Sequence, residues 1–271
     1  MSALFSLFTS DPFLVRCELE RVRRQVDLEG AGEVLGTGSF EDDVVLLKHY
    51  GAGVPRTDLW EAPETDAVVM HASALPPGTS LEENAQPFRL RQWLFAHHGK
   101  IERPDAVRER LMSALPEFLQ RMVRGSTVSE PIFATFLAQL RHLGRMEDMK
   151  LEAPLAAQLL IKTARLVEQA CAEAGVAGRP GLHLVATNGR LMIAARRSPD
   201  PLHYRLLEGE AVCARCGLEA GGKDSEPLVR EHRLCRSVVV ASQIKNGGWL
   251  ELADGSALAV DRKLSVQVLA G

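Results

Sequence analysis

The sequence contains no apolar run long enough to cross a bilayer. It also lacks the pattern of a secretion leader. Met1 to Phe8 is apolar but short, has no basic stretch before it, and is interrupted by Asp11 and Pro12. An excess of either charge is missing too: Lys plus Arg number 32 against 35 Asp plus Glu, a net charge of -3. A chain so balanced has no general attraction for nucleic acid or for an anionic membrane surface. Cysteine is scarce and odd in number, with Cys17, Cys171, Cys213, Cys216 and Cys235. Without a leader, that count points to a reducing compartment, and the expected location is the cytoplasm. There is no internal repeat and no low-complexity linker.

What remains is an ordinary globular composition, 46% hydrophobic and 25% charged over 271 residues. Strand patterns come first: residues 3 to 8, Val44 to Tyr50, Ala67 to His71 and Gln92 to Ala96, the last ended by His97-His98-Gly99. A helix is expected over 13 to 26, with Phe13, Leu14, Cys17, Val22 and Val26 on one face. The loop Pro76-Pro77-Gly78 follows the third strand. Three helical stretches fill the middle: Asp105 to Val123, broken at Pro116; Ser129 to Leu143, with Ser129 as N-cap; and Pro154 to Ala174. Strands then return: His183 to Thr187 and Leu191 to Ala195 about an Asn188-Gly189 turn, then Tyr204 to Leu207, Ser237 to Ser242, Trp249 to Leu252 and Ala257 to Val260. Asp254-Gly255 reads as a further hairpin turn. Strands, helices, then strands predict two sheets with helices packed outside, an α+β chain.

Two groups of residues carry candidate chemistry. The first begins at Met1-Ser2. If the initiator Met is removed, the Ser2 α-amine can act as base for its own hydroxyl, so nucleophile and base share one residue. The second is Cys213-Ala-Arg-Cys216-Gly217, followed by His232-Arg-Leu-Cys235. Three cysteines and one histidine form a structural zinc set, so Cys213, Cys216, His232 and Cys235 are the candidate ligands. They would sit at the base of a polar loop through Gly221-Gly222-Lys223-Asp224-Ser225. A redox role is disfavoured, because no helix N-terminus follows Cys216 to lower a thiol pKa. Incidental surface cysteines are the competing reading.

Further segments align with one another in order. Gly51-Ala52-Gly53 precedes Asn84-Ala-Gln-Pro-Phe88. Trp93-Leu-Phe-Ala-His97-His98-Gly99 follows, then Arg124-Gly-Ser-Thr-Val-Ser-Glu130 and Val239-Val-Ala-Ser242. With Met1-Ser2, this set resembles class II glutamine amidotransferases. Those begin Met-Cys and carry Gly-Trp-Gly, Asn-Thr-His-Pro-Phe, Ala-His-Asn-Gly, Gly-x-Thr-Asp-Ser-Glu and Val-Val-Ala-Ser-Glu-Pro. The resemblance spans nearly the whole chain. It implies an N-terminal-nucleophile fold, a four-layer αββα sandwich of two mostly antiparallel sheets. It also implies one domain over 1–271, with the Cys/His loop at about 208–236 as an addition.

The resemblance assigns roles position by position. Ser2 stands where the nucleophilic Cys belongs. His98 replaces the oxyanion Asn, while Gly99 keeps its backbone N–H. The Arg that binds the substrate carboxylate falls at or near Ser73, and there is no Arg between Arg56 and Arg89. The Asp that binds the substrate amine is Val128. Loss of one oxyanion donor costs about 3 kcal/mol, and each lost charge-assisted hydrogen bond roughly 1.5–3 kcal/mol. The expectation is a binding or regulatory relative that does not hydrolyse glutamine and takes a small amide-containing ligand or a protein partner. The alternative is a serine amidohydrolase acting on another amide. Arg89 and Arg91 are the nearest stand-ins for a displaced carboxylate clamp. His97, His71 and Glu130 read as structural, the Arg21, Arg23, Arg24 run as a solvated face, and Cys17 and Cys171 as core.

Overall fold

The segment Ala3-Leu-Phe-Ser-Leu-Phe-Thr9 forms strand β1 (Ala3–Thr9) and is buried along its full length. A strand sends alternate side chains to opposite faces. Phe5 and Leu7 therefore join one core while Leu4 and Phe8 join another. A strand apolar on both faces must lie inside a sheet covered on both sides, and β1 does.

A computed structural model describes residues 2–28, 31–41, 44–54, 58–76, 78–220, 222–223 and 225–271. After β1 come α1 (Val15–Arg23), β2 (Val34–Glu41), β3 (Val44–Tyr50) and β4 (Ala67–Ser73). The short α2 (Leu81–Asn84) and β5 (Phe88–Leu90) lead to β6 (Trp93–His98). The helical middle holds α3 (Pro104–Ala114), α4 (Glu117–Gln120), α5 (Ser129–His142) and α6 (Ala153–Glu173). Then follow β7 (Leu182–Thr187), β8 (Met192–Arg197), β9 (Leu202–Leu207), α7 (Pro227–Leu234), β10 (Ser237–Ala241), β11 (Leu250–Leu252), β12 (Ala257–Val260) and β13 (Val266–Leu269).

The strands make two antiparallel sheets. One runs β11-β9-β10-β1-β4-β2-β3, the other β13-β12-β8-β7-β6-β5. Between them lies an apolar layer that includes Leu4, Phe8, Val69, Leu94, Ala96, Val185 and Val240. Outside the six-stranded sheet, α3, α5 and α6 bury Leu111, Phe136, Leu160 and Val167. Outside the seven-stranded sheet, α1 buries Val15, Leu19 and Val22, one face at helical spacing. Each fully buried side chain of this size contributes about 1.5–3 kcal/mol. The result is the expected four-layer αββα sandwich. Among the described residues no helix is long and apolar enough to cross a membrane.

Several local expectations are corrected. Phe13 is 71% exposed and lies before α1, so it is not on the buried face. His97 and His98 belong to β6 instead of ending it. Ser129 is the first residue of α5, not its cap, because its hydroxyl is turned to His97. Asp254-Gly255 makes a turn but no hairpin. β11 pairs with β9 in one sheet and β12 with β8 in the other, so the chain crosses between layers there. The loop expected between the cysteines contains α7; its Gly221 and Asp224, like Met1 and Pro77, lie outside the described residues.

Candidate functional site

The first candidate site lies at one end of both sheets. β1 and β4 are antiparallel with Ala3 opposite Ala72, so Ser2 sits beside Ser73. β1 and β4 face β6 across the sandwich, and β6 ends at His98-Gly99. The entrance to α5 supplies Thr127 and Ser129. These segments enclose a cavity of about 370 Å³ lined by Ser2, His71, Ser73, Asn84, Gln86, His97, Gly99, Thr127 and Ser129, among others. No Asp, Glu, Lys or Arg appears among those lining residues.

The histidines differ from one another. His97 is fully partnered. Its Nε2 lies 3.0 Å from the Gly181 carbonyl, an acceptor only, so Nε2 carries the proton. Its Nδ1 then accepts from the Ser129 hydroxyl at 2.9 Å. The Gln86 side-chain amide accepts from the His97 N–H at 2.6 Å and donates to its carbonyl at 3.0 Å, pinning that point of β6. Burial pushes the His97 pKa down to about 4, and the ring is neutral.

His98 contacts Ser2, with Nδ1 3.1 Å from Oγ. The His183 ring stacks on it, centroids 5.3 Å apart. Burial, then the neighbouring His183, His71 and His97, push the His98 pKa down to about 2. At neutral pH, protonating such a ring costs roughly 7 kcal/mol, at about 1.36 kcal/mol per unit. It is thus a hydrogen-bonding partner for Ser2 and a poor proton acceptor from it.

His71 departs from expectation. It is only 3% exposed, yet neither ring nitrogen has a hydrogen-bond partner among the described residues. Burial lowers its pKa to about 3, so it faces the cavity as a neutral imidazole. The Thr127 hydroxyl is also buried without a partner. Both residues line the cavity, but these polar atoms are themselves shielded from solvent.

The loop before α5 is held from two sides. The Asn84 carboxamide oxygen accepts from the Ser126 N–H at 2.8 Å and the Thr127 N–H at 3.1 Å. A Glu130 carboxylate oxygen accepts from the Arg124 and Gly125 N–H groups at 3.0 and 2.6 Å. Val128 is buried with the helix-layer core. Gly99 has φ +136°, and an added Cβ would fall on the Gly181 carbonyl, so glycine is required twice over. Arg89 donates to the Val45 carbonyl at 3.1 Å and Arg91 pairs with Glu147, so neither stand-in cation reaches the cavity.

The second candidate site joins α1 to the segment between β9 and β10. Cys17, Cys213, Cys216 and His232 place one ligand atom each within 4.8 Å of one another. Cys17 Sγ lies 3.5 Å from Cys216 Sγ. Burial, then the adjacent Cys216 and Cys213, raise the Cys17 thiol pKa well above its ordinary value. Cys235 is not in this group. It is 2% exposed and its Sγ rests 3.4 Å from the Thr9 hydroxyl. Two corrections follow: Cys17 belongs to the cluster instead of the core, and Cys235 belongs to the core instead of the cluster. Local spacing pointed to Cys235. Cys17 comes from a distant element and gave no spacing signal.

No family model matches the chain. A probable glutamine amidotransferase of Saccharomyces cerevisiae is 30% identical over 135 residues, 48% of this chain and 38% of that protein. The chain thus matches well under half of that relative's length. Among solved structures, a glutamine aminotransferase class-II domain protein from Silicibacter pomeroyi aligns with TM-score 0.62 and 17% identity, over 99% of this chain and 98% of that one. A "predicted glutamine amidotransferase" from Pseudomonas aeruginosa aligns with TM-score 0.56 and 14% identity, over 100% and 99%. The allosteric regulatory enzyme of purine biosynthesis aligns with TM-score 0.56 and 12% identity, over 99% of this chain and 48% of that one.

Proposed function

We propose that this chain, whose fold is that of the class II glutamine amidotransferases, uses the family's pocket to bind a small uncharged amide-containing ligand and does not hydrolyse glutamine. Residues 1–271 act as one domain in this reading, with the Cys/His segment at about 208–236 inserted, and the protein is a binding or regulatory relative of the enzymes. One observation carries it: no Asp, Glu, Lys or Arg is among the described residues that line the cavity beside Ser2. Glutamine brings an ammonium and a carboxylate, and burying either without a partner costs several kcal/mol. A carboxamide brings one acceptor and two donors. Ser2 and Ser73 put neutral hydroxyls along the cavity that can pair with these. In this reading Ser2, His98 and Gly99 are the remnant of the catalytic centre, and Ser73 and Val128 mark the lost charge partners.

The His98 ring does not rescue chemistry at Ser2, because its conjugate acid is too strong to form near neutrality. A free Ser2 α-amine would supply a base. The test is therefore double. Intact mass of natively expressed protein reports whether Met1 is retained. Ammonia release from glutamine is expected at the level of the protein-free blank. Turnover above the blank that disappears in Ser2→Ala would overturn the proposal. Calorimetric titration is expected to detect an uncharged carboxamide such as propionamide and not glutamine; the reverse order would also defeat it.

A further inference from the structure

The Cys/His cluster carries an inference independent of the amide pocket. We propose that Cys17, Cys213, Cys216 and His232 bind one zinc ion, and that this ion clips α1 to the segment between β9 and β10.

The donor set is the first argument. Three thiolates and one imidazole form a closed tetrahedral set for zinc, with Zn–S about 2.3 Å and Zn–N about 2.0–2.1 Å. Such a tetrahedron places its sulfurs roughly 3.8 Å apart. The Cys17–Cys216 separation of 3.5 Å and the 4.8 Å limit over all four ligand atoms are close to that figure.

The second argument is His232. It is 6% exposed, and its Nδ1 lies 2.9 Å from the Leu228 carbonyl, one turn earlier in α7. A carbonyl only accepts, so Nδ1 holds the proton and Nε2 keeps a lone pair. That Nε2 is buried and has no hydrogen-bond partner among the described residues. A metal-bound histidine is ordinarily fixed this way, its remote N–H donated to a carbonyl. Here the remote N–H is already fixed by a carbonyl, and His232 shares the cluster with three sulfurs.

The third argument is the local backbone. Cys213 and Leu218 exchange backbone hydrogen bonds at 3.0 and 2.9 Å, folding Cys213 to Cys216 into a tight loop. Gly217 turns that loop at φ +69°. The two sulfurs thus come from one rigid loop, the imidazole from α7 and the third sulfur from α1. Flanking contacts already hold these parts in register. Arg215 forks onto Glu61 at 2.8 and 2.7 Å, and Arg21 donates to the Glu208 carbonyl at 2.8 Å. With every position of the tetrahedron taken by protein, the ion is structural. On loading, the three thiols give their protons to solvent and each sulfur donates a lone pair to the metal.

Full-length protein purified with a thiol reductant and without chelator is expected to hold about one zinc per chain by elemental analysis. Cys17→Ser and His232→Ala are each expected to lower that content at least ten-fold, whereas Cys235→Ser keeps it. Should the ligand variants fail to fold, the wild-type protein answers through alkylation mapped by peptide mass. Cys17, Cys213 and Cys216 are expected to be protected until a strong chelator is added, with Cys235 unaffected by the chelator. Cobalt in place of zinc is expected to give the intense thiolate-to-metal absorption of a tetrahedral site. Metal-free wild-type protein, zinc retained in Cys17→Ser but lost in Cys235→Ser, or alkylation of Cys17 unchanged by chelator would each overturn the proposal.

Discussion

The two sites differ in what their side chains still need. In the pocket beside Ser2, His97 has both ring nitrogens occupied by the protein. At the Cys/His cluster, three sulfurs and an imidazole converge, and the His232 Nε2 is buried with no hydrogen-bond partner among the described residues. The pocket has no Asp, Glu, Lys or Arg among the described residues that line it. The cluster gathers four potential metal ligands from three parts of the chain. They also lie in different parts of the fold: Ser2 precedes the first residue of β1, while the cluster joins α1 to the segment between β9 and β10. No residue belongs to both, so each can be perturbed alone.

The largest expected effect is acid destabilisation, and it belongs to the pocket. His71, His97 and His98 have folded pKa values of about 3, 4 and 2 against an unfolded 6.5, and His183 is lowered too. The unfolded chain therefore binds more protons between those values. Stability is full above about pH 6.5 and falls as pH drops through that window, by up to about 1.36 kcal/mol per unit for each ring. Urea midpoints measured from pH 7.5 to 5 are expected to fall by the equivalent of several kcal/mol. A flat profile would mean that the rings are not buried neutral. Chelator at pH 7.5 should lower the midpoint without altering this acid slope, and a changed slope would break the separation of the two sites.

Next comes Gly99→Ala, expected to cost about 3 kcal/mol through its positive φ and its collision with Gly181. A thermal midpoint within one degree of wild type would contradict that packing. Ser129→Ala leaves the His97 Nδ1 buried without a donor and is expected to cost roughly 1–3 kcal/mol in the same assay. The smallest effect is expected of Arg91→Ala. Its partner Glu147 is exposed, so the stability change should stay within about 1 kcal/mol, and ligand affinity should not change.

Much of the sandwich could be read from the chain because its strands are apolar in short, well-punctuated runs. β1, β3, β4, β7, β8 and β10 all lie where alternation or continuous apolar character placed them. β2 escaped notice because Gly36 and Gly38 interrupt its pattern. Those glycines admit the Gln86 backbone and the Pro87 ring at distances no side chain would allow. α7 was hidden by its charges, Arg230, Glu231 and Arg233, around one buried Val229. The turn chemistry of Asp254-Gly255 was read correctly, but nothing local tells a turn within a sheet from a step between sheets.

The pocket was more legible than the cluster, for a physical reason. The residues that position it, Asn84, Gln86, His97, Gly99, Thr127 and Ser129, lie inside the short motifs that carried the resemblance. Even so, motif matching missed the unpartnered His71 and the stacked His183, since each stands outside those motifs. The cluster draws Cys17 from a helix 199 positions away from Cys216, and sequence spacing holds no record of such a contact.

The central position of β1 bears on how the molecule is made. Its Leu4 N–H is received by the Ser242 hydroxyl, 238 positions later, and its neighbour β10 arrives only then. At roughly 5–20 residues per second of synthesis, the apolar ribbon Ala3–Thr9 waits on the order of ten to fifty seconds for its partner. During that interval it is an uncapped β-edge with no charge to repel another copy. A newly made chain is therefore most prone to misassociate through the same strand that later carries Ser2 into the pocket.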